Sequence, residues 1–237
     1  MPPMLPTTFL DGLARARGSL LLCRGCLGPV DAEAEAGLCA RCWQGLQPLP
    51  VGRCGRCALP HAEGPCPEPV AWELGEALWD YHGGRPPFGA LVLPGIKRGE
   101  TGWRKALLRH LTLAALPDWV QEADRVTSAP SALPRRLWRG FDLAAEAGRV
   151  VADRAGRPYE SLLAKGWWRG RQATRTESAR RRLPRKAITL RRGALPGGIV
   201  LLVDDVWTTG TTLLRCAQVL RESGADEVRV LALFRAM

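Results

Sequence analysis

Five consecutive apolar residues, Ile199-Val-Leu-Leu-Val203, run into two carboxylates, Asp204 and Asp205, and then into the turn Thr208-Thr-Gly-Thr-Thr212. An apolar run this short and this uniform reads as a strand buried on both faces, the kind found in parallel sheets covered by helices. The surrounding pattern agrees. Val126–Ala129 reads as a strand, and Phe141–Ala155 as a helix with Leu143, Ala144, Ala147, Val150 and Val151 on one face. Thr211–Ser223 places Leu213, Leu214, Ala217 and Leu220 at helical spacing with Gly224 as its stop, and Val228–Phe234 reads as a further strand. This order predicts an α/β fold with a mostly parallel sheet and flanking helices, whose ligands gather beyond the C-terminal strand ends.

The Asp-Asp and Thr-rich turn stand at such a strand end. Backbone N–H groups, the hydroxyls of Thr208, Thr209, Thr211 and Thr212, and the positive end of the following helix can wrap a phosphate. Gly210 lets the backbone approach the anion without a Cβ in the way. Asp204 and Asp205 suit the vicinal hydroxyls of a sugar, so the composite predicts a site for a ribose 5-phosphate. Cys216, on the same helix as Leu213 and Ala217, reads as a small core residue rather than a nucleophile.

Seven of the eight cysteines fall between Cys23 and Cys66. Cys23-Arg-Gly-Cys26 and Cys39-Ala-Arg-Cys42 form two C-x-x-C knuckles, which together supply four soft ligands for a tetrahedral, structural zinc. Gly25 and Gly28 are expected to ease the tight backbone of the first knuckle. Cys54-Gly-Arg-Cys57 begins a second, less regular group with His61 and Cys66. Pro69 stands where a fourth cysteine would make that group symmetrical, so either His61 completes a second set or the group holds no metal. The Pro- and Gly-rich stretch 43–75 reads as loop and linker. The expected organisation is therefore a cysteine-rich module with its linker over 1–75 and the α/β domain over 76–237.

Together these motifs resemble the ComF-type competence proteins, in which a zinc-ribbon-like module precedes a type I phosphoribosyltransferase-like domain. The likeness is carried by the two C-x-x-C pairs and by Leu201-Leu-Val-Asp-Asp-Val-Trp-Thr-Thr-Gly-Thr-Thr-Leu213. It also extends over Leu93-Pro-Gly-Ile-Lys-Arg-Gly99, Ser128 through Arg139-Gly-Phe141, and Arg171-Gln-Ala-Thr through Arg180-Arg-Arg182. The resemblance implies that Asp204 and Asp205 bind the ribose of phosphoribosyl pyrophosphate (PRPP) and Thr208 to Thr212 its 5-phosphate. It also implies that Arg135, Arg136 and Arg139 sit near the pyrophosphate with Lys97 close by, and that Mg²⁺ accompanies the diphosphate. Four features depart from the family pattern: Asp142 and Leu183 replace asparagines, Ile188 replaces an aromatic, and Pro94-Gly95 interrupt a helix leading to Lys97. None touches the PRPP loop, so binding is the expectation and no catalytic residue is assigned.

The 237 residues carry a net charge of +11, which suits a nucleic acid, a phosphorylated small molecule or an acidic partner. The excess is local: residues 135–192 hold 17 Lys and Arg against five Asp and Glu. A small-molecule site needs a few cations rather than a dozen, so the surplus points to a polyanion. Trp167 and Trp168 stand among Arg169, Arg171, Arg175, Arg180, Arg181 and Arg182, and aromatics among cations can stack exposed bases. No apolar run approaches the ~18 residues of a membrane span, and no basic segment leads into an apolar stretch at the N-terminus, so a cytoplasmic chain is expected. The leading expectation, following the family's role in DNA uptake during natural transformation, is a competence factor that binds incoming single-stranded DNA on a PRPP-binding fold. The alternatives are an active phosphoribosyltransferase or nucleotide-salvage enzyme with an unknown acceptor, and a zinc-module scaffold for a DNA-uptake helicase.

Overall fold

The structure is a computed structural model that describes residues 22–29, 35–61, 64–84, 87–131, 140–166 and 187–236. Its centre is a parallel sheet of four strands: β1 (Leu74–Asp80), β2 (Arg125–Ser128), β5 (Ile199–Trp207) and β6 (Glu227–Arg235), in the order β1-β6-β5-β2. Two shorter strands, β3 (Leu163–Lys165) and β4 (Ile188–Leu190), form a separate antiparallel pair. The helices are a single turn α1 (Ala40–Trp43), α2 (Phe88–Lys97), α3 (Thr101–Leu113), α4 (Leu143–Ala155) and α5 (Thr211–Glu222).

The apolar run of β5 is buried as its composition requires, with Val200 to Val203 fully inaccessible. Alternation divides its contacts between two cores. Leu201 and Val203, with Leu231 and Leu233 of β6, face Ile96, Leu107, Ala147 and Val151 of α2, α3 and α4. Val200 and Leu202, with Val228, Val230 and Ala232, face Leu213, Ala217 and Leu220 of α5 together with Leu163 and Ile188. Each such aliphatic side chain contributes about 1.5–3 kcal/mol by leaving water, which fixes both the position and the face of β5. The strand is longer than its apolar run: pairing with β6 continues to Trp207 opposite Arg235, so Asp204 and Asp205 lie within the ladder rather than after it.

Helix α4 starts two residues later than its hydrophobic pattern suggests, because Asp142 is its N-cap and accepts a hydrogen bond from the Ala145 amide. Aspartate caps a helix as well as asparagine does, so this departure from the family pattern keeps its local function. Gly156, in the left-handed region at φ 66°, ends the helix.

Pro94 and Gly95 do not interrupt α2; the helix runs through both to Lys97. Proline forfeits one hydrogen bond to the carbonyl four residues back, here that of Ala90, a residue on the exposed side of α2. Gly95 is needed for packing: a Cβ there would lie closer than 3.0 Å to two ring atoms of Trp103 on α3.

The cysteine-rich segment packs on both cores. Cys23, Leu38, Cys39, Cys42 and Trp43 join the face of α2 and α3, whereas Cys57, Ala58 and Trp72 join the opposite face. Between them, residues 47–49 run along the outer edge of β1, where the Leu49 amide donates to the Leu78 carbonyl at 3.2 Å and the Asp80 amide to the Gln47 carbonyl at 3.0 Å. Among the described residues no helix is long and apolar enough to cross a membrane.

Candidate ribose-phosphate site and metal centres

The C-terminal end of β5 delivers the two carboxylates to one place. Asp204 Oδ1 accepts from the Asp205 amide at 2.9 Å, and Lys97 Nζ, at the end of α2, lies 3.3 Å from Asp205 Oδ2. Burial, and then the neighbouring charge of Asp205, push the Asp204 carboxyl well above its ordinary value, and Lys97 offsets only part of this. Lys97 thus meets the acidic pair directly, reached by the unbroken course of α2.

Gly210 then turns the chain into α5. It is the N-cap residue with φ 69° and ψ −1°, a left-handed conformation that favours glycine, and no side chain caps the helix. Thr208 and Thr209 are exposed and Thr211 and Thr212 half-buried, with Thr209 Oγ1 and Thr211 Oγ1 2.9 Å apart. Hydroxyls and an uncapped, twelve-residue helix with its positive end at the turn are brought beside two carboxylates, an arrangement able to take a phosphate and the hydroxyls of its sugar. Cys216, on the buried side of α5, is fully inaccessible, and burial pushes its thiol up, as expected of a core residue.

A polar cavity of about 790 Å³ opens at the end of β2, lined by Ser128, Ser131, Asp142, Tyr159, Lys165 and Arg191 among others. Ser128 Oγ and Tyr159 Oη are hydrogen-bonded at 2.8 Å, and the Arg149 guanidinium lies over the Tyr159 ring. Arg135, Arg136 and Arg139 lie outside the described residues, as do Trp167, Trp168, Arg169, Arg171, Arg175, Arg180, Arg181 and Arg182. Their flanks are described: Ser131 and Gly140 bracket the first basic segment and line this cavity. The second leaves from β3 and returns to β4, whose Lys165 and Ile188 are paired.

Sequence reasoning missed the residue that supports the turn from below. Arg235, the last residue of β6, is 1% exposed and stacks over the Trp207 indole. It donates to the carbonyls of Trp207 (2.9 Å), Thr208 and Cys57 (3.3 Å) and to the Glu68 carboxylate (2.8 Å). Its one sequence signal is an arginine closing an apolar strand at the ligand end of the sheet.

Both cysteine groups converge. Cys23, Cys26, Cys39 and Cys42 place their donor atoms within 4.8 Å of one another, and so do Cys54, Cys57, His61 and Cys66. A tetrahedral zinc with Zn–S of about 2.3 Å needs ligand sulfurs roughly 3.8 Å apart. The Cys23–Cys42, Cys26–Cys39 and Cys54–Cys66 sulfurs are separated by 3.5, 3.7 and 3.8 Å, and His61 Nε2 lies 3.1 Å from Cys57 Sγ. Both sets therefore fit such an ion, and His61 takes the place that sequence symmetry left vacant. The Cys23–Cys26 and Cys54–Cys57 knuckles are built alike. The Leu27 amide donates to the Cys23 carbonyl and the Ala58 amide to the Cys54 carbonyl, both at 2.9 Å. Leu27 and Ala58 both take left-handed conformations, at φ 58° and 55°. The strained position is thus the residue after each pair, and Gly25 and Gly28 are not in that region. Gly25 instead makes room, since a Cβ there would come within 2.9 Å of Cys42 Sγ. Burial opposes ionisation of Cys23, but N–H donors from Cys39, Cys26 and Gly25 outweigh it and lower its thiol to about 6.

The chain is similar to known proteins in sequence and in structure. Residues 168–237 match the phosphoribosyl transferase domain family. The chain is 31% identical over 231 residues to the DNA utilization protein YhgH of Salmonella typhimurium, covering 91% of this chain and 97% of that protein. It is 36% identical over 110 residues to the amidophosphoribosyltransferase of Bacillus subtilis, covering 46% of this chain and 21% of that enzyme. The solved glutamine PRPP amidotransferase of B. subtilis is similar over 54% of this chain and 25% of its own, at 31% identity and a TM-score of 0.37. With a full-length relative at this identity, a phosphoribosyltransferase-like parallel sheet and a cysteine-rich N-terminal region able to hold metal, the chain belongs to the YhgH family of ComF-type proteins.

Proposed function

We propose that this chain is a DNA-uptake factor that binds single-stranded DNA in the cytoplasm on a PRPP-binding phosphoribosyltransferase fold. The observation that carries the reading is the end of β5, where Asp204, Asp205 and Lys97 meet the Thr208–Thr212 turn. That site suits the phosphate and vicinal hydroxyls of a ribose 5-phosphate and carries the PRPP part of the reading; the sugars of DNA have no vicinal hydroxyls, so a strand would lie on the basic segments instead. The name of the full-length Salmonella relative, a DNA utilization protein, supports a role with DNA. The excess of bases in 135–192 supports a polyanion. Arg135, Arg136 and Arg139 would contact phosphate near the cavity, and Trp167, Trp168 and the arginines from Arg169 to Arg182 would track the strand. Zinc would fill both cysteine groups as a structural ion, and eight cysteines outside any disulfide suit a reducing compartment. We assign the metal-binding module and its linker to 1–75 and the phosphoribosyltransferase-like domain to 76–237, with β1 beginning two residues before that boundary.

The test is binding of a single-stranded oligonucleotide across a salt series. Affinity should fall as salt rises, and replacing Arg180, Arg181 and Arg182 by Gln should flatten the log–log slope by about 2, at ~0.7 per phosphate contact. Absence of binding at low salt, or a slope indifferent to salt, overturns the reading.

The acidic pair beside the phosphate turn also favours a second reading, a working phosphoribosyltransferase whose acceptor is unknown. Mg²⁺ would then accompany PRPP and take up charge on the departing pyrophosphate. Calorimetry with PRPP and Mg²⁺ should give heat with the wild type and none with Asp204→Ala/Asp205→Ala. A silent wild type removes this class.

A further inference from the structure

Arg235 lies between two features far apart in sequence, the second cysteine group and the phosphate turn. Toward the cysteines, its Nε donates to the Cys57 carbonyl at 3.3 Å and its Nη2 to Glu68 Oε2 at 2.8 Å. Cys57 is one of the four groups able to hold a metal, and Glu68 follows another, Cys66, by two residues. Toward the turn, Nη1 donates to the carbonyls of Trp207 and Thr208, and the guanidinium lies over the Trp207 ring, 4.9 Å from its centre. Trp207 is held edge-on by Trp72, and its Nε1 would lie 3.0 Å from a Cβ on Gly210. The turn thus rests on Trp207, Trp207 on Arg235, and Arg235 on the segment that carries the ligands.

That segment has no regular secondary structure and is held by core packing at Cys57, Ala58 and Trp72 and by a few hydrogen bonds, such as that from the Cys54 amide to the Leu59 carbonyl at 3.1 Å. From Pro48 to Glu73 the described residues form no helix or paired strand beyond the bridge of Pro48 to Trp79. Four donors on one ion would fix its course, as in small metal-folded modules. A guanidinium is a rigid fork, so displacing two of its acceptors disturbs the others. Buried as it is, Arg235 also depends on the carboxylate of Glu68 for its counter-charge.

We propose that Arg235 is a positioning residue through which metal at Cys54, Cys57, His61 and Cys66 sets the shape of the phosphate turn, so that a sugar phosphate binds the metal-loaded chain more tightly. The proposal rests on the reading of Thr208–Thr212 as a phosphate turn given under Proposed function.

The experiment uses the full chain with metal content measured, and compares wild type with Cys66→Ser, which removes one donor of the second group and leaves the first intact. Glu68→Gln keeps all four donors and removes the counter-charge of Arg235 at the half-buried end of the relay. Two quantities are read: affinity for ribose 5-phosphate by calorimetry, and hydrogen exchange of the amides from Trp207 to Thr212 without ligand. Each variant should weaken binding by about tenfold, the ordinary size of coupling between sites, and should speed exchange in the turn. The double variant should add little to either single one, whereas two unrelated losses of stability would add. Unchanged exchange in both variants overturns the proposal. If wild type takes no ribose 5-phosphate while exchange still follows the metal, the coupling stands and the phosphate reading falls. Should Cys66→Ser fail to fold, Glu68→Gln alone decides, since no change in its turn refutes the relay.

Discussion

In most helices Gly→Ala stabilises by about 1 kcal/mol, because alanine loses less backbone freedom on folding. At Gly95 the sign should reverse. A Cβ there would lie closer than 3.0 Å to Cε3 and Cζ3 of Trp103 and 3.3 Å from Cη2. The indole has nowhere to go: it is 5% exposed, and its Nε1 donates to the Ala36 carbonyl at 2.8 Å. Overpacking of this kind costs about 1–3 kcal/mol, and pulling the indole off its carbonyl costs about 1 more. Against the propensity gain, the net is a loss of about 1–3 kcal/mol. Urea unfolding of the metal-loaded chain is the assay; at a slope of about 3 kcal/mol per molar, the midpoint should drop by roughly 0.3–1 M. Gly197→Ala is the control, since its Cβ meets nothing within 4 Å, and it should stay within about 0.5 kcal/mol of wild type. A Gly95→Ala midpoint at or above that of wild type would refute the account of why α2 and α3 approach so closely. It would also remove the reason given for a glycine two residues before Lys97.

Asp204→Asn should stabilise the chain at neutral pH while abolishing sugar-phosphate binding. Burial and Asp205 raise the folded carboxyl, so the folded chain keeps a proton that the unfolded chain has released, and stability declines as pH rises above about 3.9, the ordinary aspartate value. Thermal melts across pH should show this decline in wild type and a flatter profile in the variant; identical profiles would contradict it. Arg235→Met keeps the stem but strands Glu68 and the carbonyls of Trp207 and Thr208, and should cost about 3–5 kcal/mol in chemical unfolding. Metal analysis should return two zincs per chain, and stripping them should lower the thermal midpoint because Cys23, Cys42 and Cys57 stand in the apolar cores themselves.

Much of this was legible from local pattern, and the remainder depends on distance along the chain. The run from Ile199 to Thr212 states its own structure: a strand buried on both faces, carboxylates, a small turn and a helix, each imposed by neighbours in sequence. The C-x-x-C spacing likewise announces two knuckles. Pro94 misled because the penalty of a helical proline depends on whether the freed carbonyl can reach water, and exposure of Ala90 is set by the fold. The glycines of the first knuckle misled because Leu27, not glycine, takes the left-handed turn beneath the metal donors. Arg235 was invisible for a different reason. Its partners at Cys57 and Glu68 lie 178 and 167 residues away, and nothing in an arginine ending an apolar strand names them. The pairing of β1 with β6 is of the same kind, since Leu74 pairs with Arg229 from the far end of the domain.

The strip from Gln47 to Leu49 along β1 has a bearing on the fate of the chain in a cell. A parallel sheet ends in open backbone donors and acceptors, which recruit other strands when bare. Here the cover over one such margin is tethered at both ends by a cysteine group, Cys39 and Cys42 before it and Cys54 and Cys57 after it. A molecule synthesised without its ions would hold that cover only loosely, and its sheet would be sticky along β1. Ions held by both groups would therefore make metal supply a matter of quality control, completing the fold and keeping one copy from pairing with the next.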